Sequence, residues 1–371
     1  MTAAPLLLAI LKQELLATPL PPRQVSPEQL RAAMRLAMPQ AVGGLVAQSA
    51  LDGRLKVEDL PQADALRLIA LQHQVEIQNR TANAELAKLC HLLANGGVEF
   101  LVFKGQTIAA RYPHPLSRMP GDIDFYVPPA HFARALSILR RAWGVEPRSC
   151  SSRLHAAFSH GGVEFEMHFC MLRLYSPKLR RAFNAMVAAS PADSIGICGT
   201  SVPTLPPLEN IAYTFAHFWH HFLELGVGLR HLCDLTVLIA AAFPPNSSAN
   251  ASQARRLALL LRQLDLLKAF CAVEEVMHDW LGLSPVIHGH PSPRYSKAVK
   301  ARILQHGNLG LHGRRGRRGT LSFYLALTRE RLATFVRFYP LCPREIRARL
   351  LRELPLQIAA GLRAILRRSP R

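Results

Sequence analysis

Acidic side chains are scarce in this chain: 25 Asp and Glu stand against 45 Lys and Arg over 371 residues, a formal charge of +20. Such an excess disfavours cationic partners and favours polyanions: nucleic acid, nucleotide phosphates or an anionic membrane surface. Arginine supplies most of it, and GC-rich coding alone can enrich arginine, so the charge speaks to partner class and not to fold. The seven cysteines (Cys90, Cys150, Cys170, Cys198, Cys233, Cys271 and Cys342) are scattered, and none forms a C-x-x-C pair. That spacing argues against a zinc site, and the odd count gives no disulfide framework. Isolated cysteines in apolar surroundings act as small buried hydrophobes, and a reducing, cytoplasmic setting is expected. No run of about 18 uninterrupted apolar residues occurs, so no transmembrane helix is expected. The opening MTAAPLLLAILKQELLATPLPP lacks a cationic lead and is broken by Lys12 and Glu14, unlike a signal peptide. Aromatic residues are few, at 7%, but 49% of the chain is hydrophobic, enough for a sizeable core.

What is present divides into four stretches. Residues 1–95 carry helical periodicity: Leu6, Leu7, Ile10 and Leu11 form an i, i+3/i+4 stripe, Ser26 ahead of Glu28 and Gln29 signals a helix start, and a long run extends from Ala63 to Leu93. Asn95-Gly96-Gly97 punctuates its end. Residues 96–205 alternate strand and helix patterns, with strands expected at Val98–Phe103, Asp122–Val127 and Gly162–Phe169 and a helix at Pro129–Trp143. Residues 206–300 return to helix, and 301–371 read as a basic, partly amphipathic helical tail. The expected fold class is α+β, with a small mixed-sheet domain flanked by helical regions.

The densest chemistry lies in FLVFKGQTIAARYPHPLSRMPGDIDFYV, residues 100–127. Side chains two apart on a strand share a face, so Asp122 and Asp124 project together while Ile123 and Phe125 enter a core. Adjacent carboxylates repel unless a cation or shared proton lies between them, and oxygen-only clusters suit Mg²⁺ with substrate phosphates. A strand ending at Lys104-Gly105 and opening a helix would aim backbone N–H groups and a positive helix end at phosphate. Downstream, VEFEMHF places Glu164, Glu166 and His168 on one face and Val163, Phe165 and Met167 on the other.

Together these residues resemble the nucleotidyltransferase family of the DNA polymerase beta superfamily, and more narrowly a bacterial group with K-G, Tyr, Arg and D-[IV]-D followed by E-[LM]-H. Toxin-type nucleotidyltransferases share a related K-G-G…R-x-S-D-I-D layout. The resemblance implies that Asp122, Asp124 and Glu166 bind metal and carry catalysis, with Glu164 the reserve for the third acid. Two Mg²⁺ (or Mn²⁺) ions would activate the attacking oxygen and hold the triphosphate. Lys104, Gly105, Gln106 and Arg118 would contact the nucleotide. Gln106 stands where the superfamily usually has a small residue after the glycine, so the usual hydroxyl contact is missing. The implied reaction moves an NMP group from an NTP to a hydroxyl or phosphate of a small molecule, a protein or an RNA. A catalytically degenerate nucleotide-binding protein is the alternative, as is a basic nucleic-acid or membrane adaptor.

Two further features accompany the motif. His217, His220, His221 and His231 cluster in the helical stretch with Arg230 and Asp234, the latter two spaced to pair at i, i+4. His217 and His221 share a helix face, a spacing also compatible with zinc. The loop GRRGRRG at 313–319 and the helix from Arg344 onward could follow a phosphate backbone or lie on an anionic membrane.

Overall fold

The computed structural model describes residues 3–16, 23–146, 148–149, 155–287, 289, 293–307, 321–353 and 355. The arginine loop at 313–319 and the tail from 356 onward, where nucleic-acid or membrane contact is expected, lie outside the described residues.

The chain opens with α1 (Ala3–Leu16), β1 (Arg23–Val25), α2 (Pro27–Ala37), α3 (Gly43–Leu51), β2 (Leu55–Val57) and the long α4 (Gln62–Asn95). Strand β1 pairs parallel with β2, a small ribbon absent from the helical expectation for this stretch. Ser26 caps α2 through a reciprocal capping box with Gln29. The α/β part follows: β3 (Leu101–Phe103), α5 (Gly105–Ala109), a 3₁₀ turn at Pro115–Ser117, β4 (Ile123–Tyr126), α6 (Pro129–Trp143), β5 (Arg148–Ser149), β6 (His155–His160), β7 (Val163–His168), α7 (Pro177–Ala188) and the hairpin β8 (Asp193–Ile197)–β9 (Thr200–Thr204). Helices α8 (Pro207–Glu224), α9 (Leu229–Ala242), α10 (Asn250–Gln263), α11 (Leu267–Leu281), α12 (Pro293–His306), α13 (Leu321–Phe338) and α14 (Pro343–Ala348) complete it. No described helix is long and apolar enough to cross a membrane.

The main sheet has the order β3-β4-β7-β6-β5. Strand β4 runs antiparallel to β3 and parallel to β7, so the sheet is mixed and the fold α+β. One face is oily. Ile123, Phe125, Phe165 and Met167 pack there against Leu86, Leu89 and Leu93 of α4 and Ala135, Ile138 and Leu139 of α6. Each such side chain, fully buried, contributes about 1.5–3 kcal/mol of transfer free energy.

A second core is helical and larger. Leu6, Leu7, Ile10 and Leu11 of α1 join Phe215, Phe218, Trp219 and Phe222 of α8, Leu232 and Leu235 of α9, and Phe270 and Met277 of α11. The N-terminal helices therefore share one core with the C-terminal ones, although the α/β part, residues 96–206, intervenes between the two groups. Phe103 at the end of β3 meets Tyr213 of α8 edge-on at 5.0 Å. At that seam the other, polar face of the sheet looks onto α8 and α9.

Candidate active site

Strand pairing sets the acids of this seam. Asp124 on β4 stands opposite Glu166 on the parallel β7, and Asp122 lies just ahead of β4. Carboxylate oxygens of Asp122, Asp124 and Glu166 all lie within 4.8 Å of one another. Glu164 is not in the group; it is exposed and bonds Ser159 on the neighbouring strand.

These acids sit in different electrostatic surroundings. Asp124 is 4% exposed. Burial works against its charge, but the Lys104 ammonium 2.9 Å away and His168 Nε2 at 2.8 Å outweigh it, holding the carboxyl down to about 2. Asp122 is exposed as a residue, yet protein crowds its carboxyl and disfavours the charged form. Asp124 adds repulsion, and together they hold Asp122 above the usual carboxylate range. His168 also lies 3.2 Å from Glu166. Burial opposes its protonation, but hydrogen bonding to Asp124 and Glu166 prevails and raises it.

The turn ahead of α5 carries the backbone cost of the site. Lys104 has φ +60° and ψ −153°, a region nearly restricted to glycine, and Gly105 follows at φ +44°. Holding a non-glycine residue there costs about 1–3 kcal/mol. A Cβ on residue 105 would come within 3.2 Å of the Asp122 carbonyl, so the turn closes tightly on the acidic strand. The conformation sends Lys104 to Asp124 and to His217 Nε2, 3.2 Å away.

Gln106 stands apart from the other predicted residues. Its carboxamide is buried and donates to Asn83 Oδ1 at 2.6 Å and Asn79 Oδ1 at 3.3 Å, both on α4, and it does not line the cleft. The side chain thus anchors α5 to α4, so its placement does not match a nucleotide-contacting side chain.

Arg118 is buried in an ion pair. Its Nε and Nη2 donate to the two Asp234 oxygens at 2.8 Å each, and Tyr112 Oη donates to the same carboxylate at 2.7 Å. Asn79 on α4 fixes the loop by donating to the Arg118 carbonyl at 2.9 Å. The i, i+4 spacing of Arg230 and Asp234 is therefore misleading: Asp234 is taken by Arg118, and no ion pair joins it to Arg230 among the described residues. Arg230 reaches the Met119 carbonyl at 3.5 Å while its Nε has no hydrogen-bond partner. Burial, then the Arg118 charge, push its pKa down. An underpartnered guanidinium in the cleft wall is suited to an anion, and helical spacing alone did not reveal it.

A cleft of about 500 Å³ unites these groups. Lys104, Gly105, Arg118, Asp122, Asp124 and Glu166 line it on the sheet side, and His217, His221, Arg230 and His231 on the helical side. Burial, aided by the Lys104 charge, keeps His221 down to about 4 and His217 well below its ordinary range. The two imidazoles approach to 3.1 Å, and no third ligating group joins them in a metal-sized cluster among the described residues. Behind them Arg349, fully buried, pairs with Glu224 at 2.7 Å and with Glu345. This part of the basic tail turns into the protein and pairs with Glu224, which lines the cleft.

The donor set fits a hard divalent cation. Three carboxylates against one ammonium leave negative charge in excess, and all three offer oxygen, as Mg²⁺ and Mn²⁺ prefer. A family model described as uncharacterised nucleotidyltransferase matches residues 26–282. None of the curated proteins matches. Two solved structures are similar. An antigenic nucleotidyltransferase-like protein from Paracoccidioides brasiliensis has 16% identity and a TM-score of 0.35, over 60% of this chain and 93% of that one. The antibiotic-resistance factor ANT(2'')-Ia has 12% identity and a TM-score of 0.34, over 54% of this chain and 98% of its own.

Proposed function

The chain belongs to the uncharacterised nucleotidyltransferase family, and from that premise we propose that the cleft moves an NMP group from an NTP to a hydroxyl or phosphate acceptor, in the manner of the DNA polymerase beta superfamily. The observation that carries this reading is the meeting of Asp122, Asp124 and Glu166 within 4.8 Å on the polar face of the sheet. These three would hold Mg²⁺ or Mn²⁺, which supplies charge neutralisation of the triphosphate and activation of the attacking oxygen.

The remaining residues position and compensate. Lys104 keeps Asp124 ionised, and Gly105 lets the backbone approach phosphate closely. Arg230 is the cation that meets the phosphates. Arg118 holds the loop before β4 through Asp234 and presents Nη1, which has no hydrogen-bond partner, from the cleft wall. The neutral imidazoles of His217 and His221 add no positive charge of their own and leave room for an acceptor on the helical side.

The 2.9 Å contact of Lys104 with Asp124 favours a second reading, in which nucleotide binds without turnover because the lysine neutralises a ligand carboxylate. One experiment separates them. The four labelled NTPs are offered with Mg²⁺ or Mn²⁺ and cell extract as acceptor, to wild type and Asp122→Asn. Label transfer by wild type that is lost in the variant supports the enzyme. NTP binding with no transfer under any of these conditions supports the second reading.

A further inference from the structure

Glu166 belongs to two clusters. Besides the all-oxygen group, His155, Glu166 and His168 each offer a ligand atom, all within 4.8 Å of one another. His155 Nε2 lies 3.4 Å from Glu166 Oε1, and His168 Nε2 lies 3.2 Å from Glu166 Oε2. A tetrahedral ion bound at about 2.0–2.1 Å requires donor-to-donor edges of about 3.3–3.4 Å; the two contacts to Glu166 are close to that length, each on a different carboxylate oxygen, so a small turn of the carboxylate and the two rings would close the set around one ion.

The sheet builds this arrangement. His155 begins β6 directly opposite His168 on β7, and their rings stand 4.8 Å apart. The residue opposite Glu166 on β6 is Ala157, whose methyl leaves the carboxylate free to turn toward either histidine. His168 is 7% exposed, which keeps bulk water from that edge. Imidazole nitrogen distinguishes this cluster from its neighbour: Mg²⁺ selects carboxylate and water, while Zn²⁺ and its first-row relatives accept nitrogen.

From this geometry we infer that the cleft has a second cation position of different chemistry, in which His155, His168 and Glu166 take a Zn²⁺-class ion, with Glu166 shared with the all-oxygen position. The inference deepens the reading of this cleft as a nucleotidyltransferase site, because one carboxylate would couple the two ions. Binding is measurable without turnover.

The test titrates Co²⁺ into the full chain after chelator treatment and follows its visible d–d absorption. The expected result is tetrahedral-type bands that Zn²⁺ displaces and excess Mg²⁺ does not. His155→Ala and His168→Gln should each weaken Co²⁺ binding at least tenfold, with unchanged circular dichroism, whereas Asp122→Asn shifts it about twofold or less. Bands that survive His155→Ala overturn the inference, since the metal then sits elsewhere among the histidines. It is also overturned by the absence of bands, or by bands that Mg²⁺ removes. NTP transfer with no cobalt bands would sink this inference alone; cobalt bands without transfer to any acceptor would sink the enzyme reading alone.

Discussion

Two charge clusters line the cleft, and they are built on opposite principles. Around Asp234 the charges are complementary: Arg118 meets it with two parallel hydrogen bonds and Tyr112 adds a third. Around Asp124 the charges are alike, with two further carboxylates close by and Lys104 as the cation in contact. The first arrangement holds a loop in place. The second keeps an electrostatic demand that a cation and phosphate would meet, as the proposed transfer requires.

Substitutions on each side should therefore separate activity from stability. The largest effect is expected from Asp122→Asn, with NMP transfer falling at least about a thousandfold and no loss of thermal midpoint, because a repelling charge is removed. Next, Asp234→Ala strands the buried Arg118 guanidinium and should cost about 3–5 kcal/mol in urea unfolding. The double change Arg118→Met with Asp234→Leu should recover most of that loss, since both charges go together. If Asp234→Ala left stability intact while abolishing transfer, the two clusters would not differ as described.

A third buried carboxylate extends the comparison to a site with no cation. Glu274 accepts hydrogen bonds from the backbone of Val286 and Ile287, yet burial raises it from 4.5 to about 7. Its folded state holds a proton that the unfolded state has released, so the stability it contributes is complete below pH 4.5. That stability is lost as pH rises toward 7, by about 3 kcal/mol in all. Glu274→Gln should flatten this slope in unfolding measured from pH 4.5 to 8. A smaller change is expected at Arg230: substitution by Ala should raise KM for the NTP about tenfold, with a lesser effect on kcat.

How far the sequence revealed this arrangement varies with the kind of interaction. The convergence of Asp122, Asp124 and Glu166 was legible because strand alternation fixes which side chains share a face, and the oily partners Ile123, Phe125, Phe165 and Met167 decide which face is buried. The strand around 163–168, the helix at 129–143 and the end of α4 at Asn95 were legible for the same reason of periodicity and punctuation. Strand β6, reading HAAFSH, was not, since small residues blur its alternation, and His155 went unnoticed with it. The β8–β9 hairpin also lacked a strong pattern. Arg118, expected at phosphate, holds the Asp234 expected for Arg230, because i, i+4 proximity on α9 yields to a bidentate contact made 116 residues away in sequence. Lys104 was expected either to contact phosphate or to lie outside it, and its contact with Asp124 depends on backbone angles that the sequence does not display.

Helix α4, 34 residues long, has a consequence for how the molecule comes apart. Its first half places Leu68 in the helical core, and its second half places Leu86, Leu89 and Leu93 beneath the sheet. Between them Asn79, wholly buried, ties α5 and the Arg118 loop to the same rod. Neither core can melt without releasing this shared strut. The two should therefore unfold in one cooperative step, and amide protons along the middle of α4 should exchange only at the rate of global opening.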